Sequence, residues 1–215
     1  MPNGIPFHDT IARVFSRLNP EEFQQSFLSW IQSISCFNQG EVIAIDGKTL
    51  RHSYGGQSKK AIHMVSAWAT SQRLVLGQVK VDQKSNELTA IPDLLKVLEL
   101  NGSLVTIDAL GCQRSIVKSI VERGGDYVIT LKKNQLSLYE RVEELFKQAI
   151  RPKFSLFKHT AYSPPKENGH GRSEIRHHLM LSEIKEPSAP ENKWDQLNSI
   201  GMRESVRIVK GKTQE

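Results

Sequence analysis

The chain has 215 residues, 38% of them hydrophobic, and its 29 lysines and arginines outnumber 23 acids to give a net charge of +6 and a pI near 9.3. That length suits one main domain with a smaller appendage, and short apolar runs separated by mixed charge exclude a disordered chain. No run reaches the roughly 20 apolar residues of a membrane span, and the opening MPNGIPFHDT has no secretion-signal pattern.

A cytoplasmic protein outside the membrane is therefore expected, and its basic balance favours a polyanionic partner without requiring one. In such a compartment Cys36 and Cys112 read as reduced thiols rather than a disulfide. No cysteine and histidine cluster has the spacing of a zinc site.

Residues 8–35 read as two helices. Ile11, Val14, Phe15 and Leu18 fall at helical spacing, then Asn19-Pro20 restarts the pattern with a cap and a first-turn proline, and Phe23, Phe27, Trp30 and Ile34 continue an apolar stripe. Such stripes usually pack on a main domain, which outweighs a DNA-reading helix-turn-helix here. From Glu41 the pattern turns to strand: Val42-Ile43-Ala44-Ile45 runs into Asp46-Gly47, and residues 62–70 and 73–81 form a hairpin. The polar, glycine-bearing stretch 51–60 between them reads as a basic loop.

Then helices over residues 86–100, 113–123 and 136–150 alternate with strands over 104–107 and 127–131. Parallel strands need such crossovers and the hairpin is antiparallel, so the order β-β-β-α-β-α-β-α predicts an α/β fold with a mixed sheet and helices on both faces, the order of the ribonuclease-H-like fold. Three segments follow: an N-terminal helical segment 1–38, a core 39–150, and a partial β-rich insertion 151–215 with strands over 173–181 and 206–209.

Two of the predicted strands deliver an aspartate: Ala44-Ile45-Asp46-Gly47-Lys48 and Val105-Thr106-Ile107-Asp108-Ala109. If the strands are parallel neighbours, the carboxylates face each other at the sheet edge where α/β proteins place ligands. Alone the pair would repel. Mg²⁺ or Mn²⁺ removes the conflict, because hard cations take carboxylate oxygens, keep open water positions and support in-line displacement at phosphorus. The other reading of Asp46-Gly47 is a simple turn. Ser85-Asn86-Glu87 suits a helix cap better than a substrate contact.

The wording around these aspartates resembles the DDE transposases of a bacterial insertion-sequence group that includes the H-repeat-associated proteins. The matching stretches are residues 44–51, His63-Met64-Val65-Ser66-Ala67, Leu76-Gly77-Gln78, residues 84–92, 106–113, Asp126-Tyr127-Val128, Leu131-Lys132-Lys133-Asn134-Gln135 and His170-Gly171-Arg172-Ser173-Glu174. Lys133 stands where the group's pattern has glycine.

The resemblance implies DNA transposition by metal-dependent phosphodiester cleavage and strand transfer. Asp46 and Asp108 would be the first two acids of the triad and ligands of Mg²⁺ or Mn²⁺. The insertion-sequence ends and a further copy of the chain are the implied partners. The group's third acid is a glutamate in a Trp-x-Ile-Glu-Asn-like context, absent here, so the chain reads as truncated at both ends and inactive or nearly so. Its alternative is a non-catalytic DNA-binding remnant or regulator.

Glu174 is the remaining candidate third acid, set in a strand context where a structural or DNA-facing role beside Arg172 and Arg176 competes. Lys48, Arg51, Lys132, Lys133 and Arg172 are candidate phosphate contacts, and Lys59 and Lys60 could join the rim, against the plainer reading of scattered solvated cations.

Overall fold

A computed structural model describes residues 4–34, 39–50, 53, 61–81, 87–150, 158–169, 172–184, 194–209 and 212–214, with the backbone alone at Glu87, Gly169, Arg172 and 212–214. Arg51, Lys59, Lys60, Cys36, Asn86 and the side chain of Arg172 lie outside it. So does the basic loop 51–60, apart from Ser53.

Strands β1 (Val42–Thr49), β2 (His63–Ala69) and β3 (Leu74–Val81) form an antiparallel meander. β4 (Leu104–Ile107) and β5 (Asp126–Ile129) then extend the sheet in parallel beyond β1, giving the order β3-β2-β1-β4-β5. Helices α3 (Glu87–Val97) and α4 (Arg114–Glu122) supply the crossovers that parallel pairing requires. The sheet is therefore mixed within an α/β architecture. Side-chain alternation sends Ile43, Ile45, Val65, Ala67, Val105 and Ile107 to one face, where Leu94 and Leu95 of α3 and Ile116 and Ile120 of α4 bury them. The other face carries half-buried Ala44 and Thr106 and leaves Trp68 39% and Val128 58% exposed.

Helix α1 (His8–Phe15) and helix α2 (Pro20–Ile34) fall where the spacing predicts them. The Asn19 carboxamide oxygen caps α2 by accepting from the Glu21 and Glu22 amides. Their packing departs from expectation. Ile31 is buried and Phe27 partly so against the core, while Phe23, Trp30 and Ile34 stay exposed and α1 buries no residue. The helix has turned so that Phe27, Leu28 and Ile31 face β3, and Leu28 approaches the space beside Gly77 that a larger residue would fill.

The remainder is a second, antiparallel sheet of β6 (Lys158–Tyr162), β7 (Glu167–Gly169), β8 (Arg172–Ser182), β9 (Ser199–Val209) and β10 (Lys212–Gln214). Leu179 and Leu181 of β8 and Ile200 of β9 pack on α5 (Leu136–Ile150) at Leu145, Phe146 and Ala149. Trp194 fastens this region to the first by burying itself against Cys112 and Val117. Nearby, the Tyr127 hydroxyl donates to the Asp195 carbonyl oxygen at 2.8 Å.

Candidate active site

Strand register decides whether the two aspartates meet. β1 and β4 are parallel, with Ile45 opposite Ile107 as their last paired residues, and Asp46 and Asp108 each come next. Asp108 keeps an extended backbone, so the register carries both residues forward on neighbouring strands, which run about 4.8 Å apart. Each follows a buried isoleucine. Alternation therefore turns both carboxylates to the face opposite the core, where both residues are exposed.

The Asp46-Gly47 pair makes no turn. β1 runs straight through it to Thr49, because β2 continues to pair with Asp46 at Ser66, Gly47 at Val65 and Lys48 at Met64. This places Lys48 two residues beyond Asp46 on the same face, about 7 Å along the strand.

Asp108 is the better-defined of the two. Its Oδ1 accepts from the Leu110 amide at 3.0 Å, which makes it the cap of a single 3-10 turn over Ala109–Gly111. Gly111 lies so close to the strand that an added Cβ would sit 2.3 Å from Ile107 Cγ2, so a side chain there would push on the residue that precedes Asp108. Sequence reasoning had no reason to single out Gly111. Its signal was its place in the stretch Ile107-Asp108-Ala109-Leu110-Gly111-Cys112. Cys112, next in the chain, is buried, and that burial pushes its thiol up to about 11; it is a core group, not a nucleophile.

Lys132 and Lys133 are exposed and follow β5 past the same end of the sheet, Lys132 standing just before a 3-10 turn over Lys133–Gln135. Lys48, Lys132 and Lys133 thus lie along the edge that carries the aspartates. Arg172 falls on β8, in the second sheet.

Glu174 is also on β8. Its carboxylate, 13% exposed, is held by Arg176 at 3.0 Å and Arg207 at 3.6 Å, and Arg176 in turn pairs with Glu167 at 2.8 Å. Among the described residues no three histidine, cysteine, aspartate or glutamate side chains are grouped to hold a metal ion, so Glu174 is not brought to Asp46 and Asp108 here. The donor chemistry of the remaining pair still fits a hard cation: two exposed carboxylates on neighbouring strands suit Mg²⁺ or Mn²⁺ with water in the other positions.

The chain's likeness to known proteins shows its family. A family model described as "Transposase DDE domain" matches residues 38–192, and another described as "DDE_Tnp_1-associated" matches residues 1–31. The H repeat-associated putative transposase YhhI of Escherichia coli (strain K12) is 42% identical over 210 residues, 96% of this chain and 54% of its own length. The H repeat-associated putative transposase YbfD of the same strain is 46% identical over 181 residues, 83% of this chain and 69% of its own length. The chain spans about half the length of YhhI and of the putative protein YbfL, at 54% of each. A solved piggyBac transposase synaptic complex with hairpin DNA is 11% identical over 72% of this chain and 36% of that chain, with a TM-score of 0.36, too low to bear on the fold. On the strength of a family model that covers most of its residues, the chain belongs to the transposase DDE-domain family.

Proposed function

We propose that this chain carries the two-aspartate part of a metal-dependent phosphodiester-transfer site that acts on the DNA of an insertion sequence. The observation that supports this most is the parallel register of β1 and β4, which leaves Asp46 and Asp108 adjacent on an exposed face. Asp46 and Asp108 would be the catalytic and metal-holding residues. A divalent ion held between them would supply charge to the leaving oxygen and acidify an attacking water or 3′-hydroxyl. Asp46 and Asp108 fix where that charge sits, and Lys48, Lys132 and Lys133 bind flanking phosphates as point charges, with Arg51 and Arg172 as further contacts.

The same reading takes the first sheet as ribonuclease-H-like, which the order of one meander followed by two parallel strands supports. Among the described residues α3 and α4 cover one face of that sheet, while Trp68 and Val128 stay exposed on the other. Residues 1–38, 39–150 and 151–215 would be the helical segment, the core and the β insertion. A cytoplasmic location, contact with the ends of the element and association of copies belong to the same proposal.

Activity of this chain alone would be low, because the candidate third acid, Glu174, is engaged by Arg176 and Arg207 instead. The second reading, a DNA-binding remnant or regulator, is favoured by that same engagement. Nicking of supercoiled plasmid in Mn²⁺ separates the two: slow, metal-dependent nicking that falls by about 100-fold or more in Asp46→Asn supports the site. Salt-sensitive DNA binding with no nicking, unchanged in Asp46→Asn, supports the remnant instead.

A further inference from the structure

Asp108 does not stand on β4 alone. The turn that follows it, Ala109–Gly111, and Cys112 after it are held by two side-chain amides that come from the segment after β5. Asn134 Nδ2 donates to the Ala109 carbonyl oxygen at 2.7 Å. Gln135 Nε2 donates to the Cys112 carbonyl oxygen at 2.9 Å and lies 3.4 Å from Gln113 Oε1. These contacts span more than 20 residues of chain and join the ends of two neighbouring parallel strands, since β4 pairs with β5 and the amides follow β5.

The turn itself is held by Gly111 and Cys112 amides donating to the Asp108 and Ala109 carbonyl oxygens. Gly111 rests on Ile107 with no room for a Cβ. The segment is thus held both by its close approach to Ile107 and by the two side-chain amides, and it presents the Leu110 amide to Asp108 Oδ1. An aspartate on an exposed edge would otherwise choose freely among rotamers, which costs a ligand part of its binding free energy.

We propose that Asn134 and Gln135 are positioning residues for Asp108: by clamping the Ala109 and Cys112 carbonyls they keep the Leu110 amide on Oδ1 and leave Oδ2 presented for a divalent cation. The inference rests on the two-aspartate reading for its purpose, while the clamp itself can be tested without any metal. A bulk structural role is a poor explanation of Asn134. The residue is exposed, and a neutral hydrogen bond there contributes little net stability, whereas its geometric effect falls on the neighbour of Asp108. Because Lys132 and Lys133 sit on the same short segment, a phosphate seated on those lysines would bear on the same clamp.

The test uses the full chain with Asn134→Leu, Gln135→Met and the double substitution, each of which removes the donor at similar volume. Two quantities are read beside thermal stability: the ¹H–¹⁵N shift and hydrogen-exchange rate of the Leu110 amide without metal, and the affinity for Mn²⁺ alone by paramagnetic titration. The expected result is a Leu110 amide that moves upfield and exchanges about 10-fold faster, with Mn²⁺ affinity weakened by about 10-fold or more, while the melting temperature stays close to wild type. Asn134→Gln, which keeps an amide donor, should recover part of both signals.

A Leu110 amide and a Mn²⁺ affinity both unchanged in the double variant would overturn the proposal. If the double variant does not fold, the single ones are judged by the same two signals. Should wild type bind no Mn²⁺, or Asp46→Asn bind it equally well, the two-aspartate reading fails, and the Leu110 amide alone then decides whether the clamp exists.

Discussion

Two acids lie along β1 (Val42–Thr49), Glu41 just before it and Asp46 within it, and they live in opposite circumstances. Just before the strand, Glu41 is 4% exposed and its carboxylate accepts from the Ser71 amide, the Ser71 hydroxyl and the Gln72 carboxamide, so it pins the turn between β2 and β3. These donors hold the Glu41 carboxyl below the ordinary carboxylate range, the Ser71 hydroxyl contributing most and burial opposing it. Four residues into the strand the pattern reverses: Asp46 is exposed, next to a second aspartate, and no ion pair to either is seen among the described residues. A carboxylate whose lone pairs are filled by its own chain stabilises the fold, whereas one left open beside a like charge costs a little stability and keeps its oxygens available for a ligand.

That contrast is open to measurement, and the largest effect should come from the satisfied acid, Glu41. Glu41→Ala is expected to lower unfolding stability by about 3 kcal/mol, since it leaves three donors without their charged acceptor. Asp46→Asn should leave stability unchanged or raise it by about 0.5 kcal/mol through relief of repulsion. Chemical denaturation of the two variants side by side checks this, and equal losses would erase the distinction. A pH series sharpens it. Folding lowers the Glu41 pKa, so the unfolded chain takes up its proton first as pH falls; this contribution is complete above the ordinary value of 4.5 and fades as pH drops through the folded value. Glu41→Gln should therefore lose stability less steeply than wild type below pH 4.5.

Glu174 extends the comparison into the second sheet. Held between Arg176 and Arg207, it behaves in this account like Glu41, so Glu174→Gln should cost about 1.5 kcal/mol and leave Mn²⁺ affinity as it is. Weakened Mn²⁺ binding in that variant would move Glu174 to the other class. The smallest effect sits at a plain cap: Asn19→Ala removes the acceptor for two α2 amides and should cost about 1 kcal/mol in thermal unfolding, with no change at the carboxylates.

How much of this could be read from the sequence varied with the physics of each segment. Residues 104–107 and 136–150 show clean periodicity and became β4 and α5 with those bounds, and the two aspartates stood out because each ends an apolar run. Asp46-Gly47 was ambiguous, since Asp-Gly favours a turn locally and the strand goes on only through its continued pairing with Ser66, Val65 and Met64 on β2. β9 was legible over 206–209 but begins at Ser199; Gly201, Arg203 and Glu204 break the alternation on a strand that is exposed over 201–204. The clamp of Asn134 and Gln135 could not be read from spacing, because its partners lie 25 and 23 residues away and meet only once β4 and β5 are paired.

The central claim is that Asp46 and Asp108 share one cation, and a double-mutant cycle on Mn²⁺ affinity tests it most directly. If the ion bridges both carboxylates, Asp46→Asn, Asp108→Asn and the double variant should lose binding to nearly the same extent, because removing either partner already dismantles the site. Losses that simply add, or Mn²⁺ bound as tightly by the double variant as by wild type, would show that the two acids are neighbours without a common ligand.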